Sequence, residues 1–222
     1  MDEKETSSVR RAVIVCGLMI VSALGAWSPA RAAKAVPIRY LNEKKLWVLE
    51  TERTSYVLGV NERGELQQIY WGGRLLRDED LAAAKLQPEH ASFDSPETMT
   101  NLEYPAWGAR QYNEPCLKLT RADGDRDVVL KYASHEIHGD ALVIYLKDIQ
   151  DDVFVKLSYR VYPHDDIIRK QAEIQNRTQQ ALTLESAQSG VWSVPQGEGY
   201  RLSYLTGRWA GETQLTRVPV HQ

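Results

Sequence analysis

Hydrophobic and polar residues alternate along most of this chain, and the alternation predicts strands. The clearest run is Val153 to Tyr162, where Val153, Val155, Leu157, Tyr159 and Val161 fall on one face. Similar runs begin at Leu46 (Trp47-Val48-Leu49) and cover Ser55 to Val60, Leu66 to Trp71 and Cys116 to Thr120. Further runs cover Val128 to Ile137, Ala141 to Leu146, Ile167 to Asn176, Leu182 to Ser186 and Gly199 to Leu205. Turn chemistry separates them: Asn61-Glu62-Arg63-Gly64, Ala122-Asp123-Gly124-Asp125, His138-Gly139-Asp140, Gln150-Asp151-Asp152 and Pro163-His164-Asp165-Asp166. The first two turns predict hairpins.

Strands at a spacing of roughly 10 to 12 residues, with turns between them, predict an all-β antiparallel sandwich. No segment carries a long period of 3.6, which excludes a (β/α)₈ barrel within this chain. Arg77 to Leu102 differs in kind: an Ala run from Ala82 to Ala84, two prolines, several acids and no sustained period. It predicts a long surface loop with one helical turn near Leu81 to Leu86.

The N-terminus changes the picture of the first 33 residues. Arg10 and Arg11 precede an uncharged run of 16 residues, Ala12 to Trp27, and Ala30-Arg31-Ala32 follows as an A-x-A pattern. This order predicts a cleaved export signal over residues 1–33 and a sandwich domain over residues 34–222. A membrane anchor is the competing reading, but it needs about 20 apolar residues. The expected location is periplasmic or extracellular, with no membrane contact after cleavage. Cys16 would leave with the signal, so Cys116 would remain alone, expected as a small buried hydrophobe.

Chemistry-bearing motifs are sparse. The net charge of −3 gives no footprint for nucleic acid. Phosphate loops, H-E-x-x-H, C-x-x-C and G-x-S-x-G patterns are all missing, and no cofactor, metal site or catalytic residue is expected. His135 and His138 are close in sequence but point to opposite faces of a strand. Asp151-Asp152 and Asp165-Asp166 are carboxylate pairs, but adjacent residues in a tight turn bond their own backbone rather than face one another across a glycosidic bond. Six Trp and eleven Tyr stand against two Phe. Trp71, Trp107 and Trp209 each lie beside or near a Gly, and residue type leaves both a core role and a sugar-binding role open for them.

These segments resemble the N-terminal domain of glycoside hydrolase family 36, the bacterial α-galactosidases. Six motifs in order carry the resemblance: Ser55-Tyr56-Val57-Leu58; Ile69-Tyr70-Trp71-Gly72-Gly73-Arg74; Glu103-Tyr104-Pro105-Ala106-Trp107-Gly108 with Glu114-Pro115 after it; Ser134-His135-Glu136-Ile137; Tyr159-Arg160-Val161-Tyr162; and Leu205-Thr206-Gly207-Arg208-Trp209-Ala210-Gly211-Glu212. The resemblance implies a large sandwich of the galactose mutarotase-like type, incomplete at its C-terminus and followed in the family by a catalytic barrel. Both catalytic aspartates of the family lie in that barrel, so this chain alone is expected to be inactive.

The resemblance also implies an α-galactoside as the full-length enzyme's substrate and a homo-oligomer as its assembly. In several family members the loop after the Tyr-Trp-Gly motif reaches a neighbour's active site. Here that loop is Leu75 to Leu102, and no Arg lies between Asp78 and Leu102. The implied substrate contacts are Asp94, Asp78, Asp80 and Trp71. The alternative is a stand-alone exported module that binds carbohydrate or a partner.

Overall fold

The computed structural model describes residues 36–86, 100–108, 114–194 and 197–220. The predicted export signal and Asp94 lie outside these residues. Two four-stranded antiparallel sheets dominate the described part. The first runs β1 (Ile38–Leu41), β2 (Leu46–Glu50), β3 (Thr54–Val60), β4 (Leu66–Gly73). A short strand, β5 (Leu117–Thr120), then leads to the second sheet: β6 (Leu130–His138), β7 (Ala141–Asp148), β8 (Val153–Tyr162), β9 (Ile167–Asn176). After these come β10 (Thr183–Ala187), paired to β5, and the hairpin β11 (Arg201–Arg208) and β12 (Gly211–Pro219).

The two large sheets pack face to face over one apolar core, which makes the fold a sandwich. Trp47, Leu49, Tyr56 and Leu58 of the first sheet meet Leu142, Ile144, Leu146, Val155, Leu157 and Tyr159 of the second. Every inward position of β8 is buried, as its alternation predicts. The outward face of β9 carries Arg169, Gln171, Glu173 and Gln175, which suits a solvated surface.

The first sheet is covered on both faces. Its outer side buries Leu46, Val48 and Val57 under Leu81, with Leu41, Ile69, Tyr70 and Leu75 packed around them. That is why β2 is buried at every position instead of at alternate ones.

The cover comes from the segment after β4. A helical turn was expected near Leu81 to Leu86; the structure instead has a 3₁₀ turn at Asp78–Asp80 and an irregular path beyond it. Two contacts explain the difference. Lys44 Nζ donates to the backbone oxygens of Asp78, Glu79 and Leu81, and Ala84 is drawn down against Gly59. Carbonyls taken by a lysine and a side chain pulled onto the sheet leave no helical ladder to form.

The Asn61–Gly64 turn joins β3 to β4 as predicted, with Gly64 at φ +76° and Asn61 Oδ1 accepting from the backbone of Arg63 and Glu65. The Ala122–Asp125 turn also forms, with Gly124 at φ +90°. It does not make a hairpin, because β5 pairs with β10 while β6 pairs with β7. Arg121 sits at that split. Its guanidinium is almost buried and binds Asp148 of β7 at 2.6 Å, Asp151 at 2.6 Å and Asp125 at 2.9 Å. Asp151 is thus a structural anchor, and Asp166 likewise sits at φ +54° and binds Arg53 and Thr51. Both aspartate pairs serve turns.

Candidate functional site

The sandwich has two open flanks, and each is filled by aromatic and polar side chains. Between β1 and β6, Tyr40, Trp47, Tyr132 and His135 form one cluster, with ring centroids 4.4 to 5.5 Å apart along the chain of contacts Tyr40–His135, Tyr40–Trp47 and Trp47–Tyr132. Tyr132 Oη lies 2.8 Å from His135 Nδ1. Burial holds the His135 imidazole below its ordinary pKa. His138 instead faces solvent beside Glu136, so the two histidines do point apart as expected.

The other flank, between β4 and β9, is the more unusual. Glu103 is fully buried, and its carboxylate accepts from Tyr56 Oη at 2.5 Å and Tyr159 Oη at 2.7 Å. Lys170 Nζ, only 4% exposed, lies 2.6 Å from the same carboxylate. Desolvation, first, and the Glu103 charge, second, push both tyrosine hydroxyls well above their ordinary range, so they stay protonated donors. Burial pushes the nearby Cys116 thiol up to about 11.

This network holds the strap that follows β10. Lys170 Nζ also donates to the Val191 carbonyl at 3.4 Å, and Tyr104 Oη donates to the Gln188 carbonyl at 2.9 Å. Gln68 takes Ser193 in both directions: its Nε2 donates to the Ser193 carbonyl and its Oε1 accepts from the Ser193 amide. Gly190 passes so close to Lys170 that a Cβ there would meet Lys170 Cε at 2.4 Å. The strap thereby places Trp192 against Trp71, with ring centroids 5.2 Å apart and planes at 45°. Trp192 also contacts Tyr56 at 5.6 Å and lies over Lys170 Nζ at 5.4 Å.

The structure separates the other residues singled out in the sequence from this flank. Asp78 is held over the outer face of the first sheet. Its carboxylate receives two hydrogen bonds from Arg39, at 2.7 and 3.1 Å, and Arg39 also binds Glu50 at 2.6 Å. The Arg39 guanidinium lowers the Asp78 carboxyl below its usual range. Asp80 pairs with Arg77 at 2.8 Å in solvent. Trp71 faces the opposite way, against the main core. Asp78 and Trp71 therefore lie on opposite faces of one sheet.

The residues that sequence reasoning missed are Glu103, Lys170 and Trp192. Lys170 carried a readable signal, since it interrupts the inward series Ile168, Ala172 and Ile174. An inward lysine needs a buried acid. Glu103 stood in a quoted motif without a role. Trp192 had no local signal. Among the described residues, no group of three or more His, Cys, Asp or Glu side chains could hold a metal ion.

Comparison with known proteins gives these features a setting. The family model for the glycosyl hydrolase family 36 N-terminal domain matches residues 64–222. The α-galactosidase AgaA of Geobacillus stearothermophilus is 24% identical over 210 residues, covering 82% of this chain and 28% of that protein. The bifunctional α-galactosidase/sucrose kinase AgaSK of Mediterraneibacter gnavus is 26% identical, covering 82% of this chain and 22% of its own length. The solved galactosidase domain of AgaSK superposes with a TM-score of 0.70 at 26% identity, covering 83% of this chain and 29% of that one. The Lactobacillus brevis α-galactosidase superposes with a TM-score of 0.72 at 24% identity, covering 83% of this chain and 28% of that one. The chain thus spans about a quarter of the length of the curated relatives it matches.

Proposed function

The chain belongs to the glycosyl hydrolase family 36 N-terminal domain family, and from that premise we propose that it is the non-catalytic sandwich of an α-galactosidase. In this reading hydrolysis of terminal α-linked galactose belongs to a following barrel, and the sandwich supports that barrel and the assembly of subunits. The observation that carries the reading is the family match over residues 64–222 on a two-sheet sandwich. The chemistry of the described residues agrees with it. Retaining glycosidases use two carboxyl groups about 5–5.5 Å apart that flank a substrate. Here Glu103, Asp148, Glu50 and Asp78 are each tied to a cation of the fold.

Solved relatives extend the reading to substrate. AgaA variants of Geobacillus stearothermophilus have been crystallised with raffinose and with stachyose. We take galactosides of this class as the substrate of the full-length protein, reached after export directed by residues 1–33. Asp78, Asp80 and Asp94 remain proposed contacts from the loop after β4. Incubating the purified chain with a chromogenic α-galactoside tests the central claim. No turnover above the uncatalysed rate is expected; turnover that survives repurification would overturn it.

A second reading is favoured by one specific observation, the exposed and tightly held Trp192. In that reading the chain acts by itself as an exported carbohydrate-binding module.

A further inference from the structure

Every position of β11 is exposed, and so is most of β12. The two strands pair only with each other, so among the described residues both edges of the ribbon are open. A two-stranded ribbon with open faces and edges is marginal in water. This one also gathers large exposed apolar side chains: Leu202, Tyr204, Leu205, Leu215, Val218 and Val220. Such a concentration marks an interaction surface.

Directly paired residues of an antiparallel ladder share a face. Leu202–Val218 and Tyr204–Thr216 therefore stand side by side on one face, with Thr206–Gln214 beyond them toward the tip. Val220 extends that face by alternation, since its amide binds the Tyr200 carbonyl and continues the ladder. Leu205–Leu215, Ser203–Arg217 and Arg201–Pro219 occupy the other face.

The two faces differ in what they can meet. The first carries no charge, and its polar groups are hydroxyls and an amide, each able to donate and to accept. Thr206 and Gln214 each give one bond to the hairpin's own backbone. Tyr204 and Thr216, at the middle, make no side-chain bond among the described residues. A group that both donates and accepts can bond its own image across a two-fold axis; a guanidinium, which only donates, cannot. The second face sets Arg201 and Arg217 around Leu205 and Leu215, with no acid among its paired residues. A copy of that face would be repelled.

We propose that the face of Leu202, Tyr204, Val218 and Val220 is a self-association surface, covered by the same face of a second copy of this chain across a two-fold axis. The proposal does not depend on the α-galactosidase reading: it is tested by association, not hydrolysis, and either result can fail alone. The face is small beside a standard interface of about 20–30 residues a side, so the dimer is weak, with a Kd on the order of 10–100 µM.

Sedimentation velocity of the full chain over about 5 to 300 µM should show monomer passing into dimer. Tyr204→Asp should raise the Kd at least about tenfold, because its carboxylate would be buried without a cation. Leu205→Asp, one residue along on the other face, should leave the Kd within about twofold. If circular dichroism shows that Tyr204→Asp has lost strand, Leu202→Thr, which keeps β propensity, takes its place with the same direction of effect. A chain that stays monomeric throughout the range would overturn the proposal. So would association that the first-face substitution leaves untouched, which would belong to another surface, and so would association lost in Leu205→Asp.

Discussion

Lys170 Nζ and Glu103 Oε1 meet 2.6 Å apart inside the sandwich, both side chains almost wholly withdrawn from water. They come from different parts of the chain: Lys170 from β9, and Glu103 from the segment before β5. Two tyrosine hydroxyls complete the carboxylate's coordination, and the ammonium is shared with the Glu103 and Val191 carbonyls. The pair therefore fixes three segments at once: β9, the Glu103 segment and the strap bearing Trp192.

Lys170→Met should leave Glu103 buried with only neutral donors. Breaking a buried pair from one side costs about 3–5 kcal/mol. Urea unfolding followed by circular dichroism measures the loss. Adding Glu103→Gln to the same chain should recover part of it, because no isolated charge remains. If Lys170→Met stayed within about 1 kcal/mol of the unsubstituted chain, the pair would be behaving like a surface ion pair and the assignment would be wrong.

His135 gives a pH dependence with a definite sign. Burial against Tyr40 and Trp47 lowers its folded pKa below the ordinary 6.5. The unfolded chain therefore binds the proton more readily than the folded one. The stability this neutral imidazole contributes is fully present above pH of about 6.5 and falls as pH drops from there through the folded pKa. Thermal melts between pH 7.5 and 5 should show a declining midpoint (the window set by the imidazole's ordinary pKa, about 6.5). His135→Phe should flatten that part of the curve and leave the steeper loss near carboxylate pKa values. Identical slopes in the two chains would sink the assignment.

Much of this fold was legible in the sequence, and the exceptions share a cause. Strands with one buried face, such as β8, announce themselves by alternation. β1 offers only Ile38-Arg39-Tyr40-Leu41, too short a run to show a period. β12 is exposed at most positions, and its apolar residues Leu215 and Val218 follow no alternation. The turn at Ala122–Asp125 was readable but its consequence was not, since β5 finds its partner in β10, more than 60 residues away. The candidate site followed the same rule. Trp71 lay in a recognisable motif, whereas its partner Trp192 reaches it only through Gln68, Lys170 and a glycine that allows close approach. Those are contacts across the sandwich, and no local pattern encodes them.

Cys116 should be chemically silent in the folded chain. It is fully buried, and burial pushes its thiol up to about 11. Thiolate is the reactive form, and at pH 8 its fraction would be on the order of 0.1%. In a Cys16→Ser chain, a disulfide reagent added to the native protein should release no chromophore over an hour-long observation, and one equivalent should appear when guanidinium is added. Prompt native-state reaction would mean that the β4–β9 flank opens readily, and with it the floor under Trp192.

Gly59 tests whether the segment after β4 is truly seated on the outer face. A Cβ at this position would meet Leu46 Cδ2 at 2.5 Å and Ala84 Cβ at 2.9 Å. Leu46 is packed in the sheet and gives little, so Gly59→Ala should push Ala84 away. Overpacking of this kind costs about 1–3 kcal/mol. The loss should be partly local. Lys85 lies next to the displaced residue and is exposed, so trypsin should cleave there faster than global unfolding permits. Combining Gly59→Ala with Ala84→Gly removes one of the two clashes and should restore protection at Lys85, with a smaller gain in overall stability. Should the single substitution leave cleavage at Lys85 at the rate set by global unfolding, Ala84 would not be anchored by Gly59, and the covering of the outer face would rest on the segment's other contacts, through Leu75, Asp78 and Leu81.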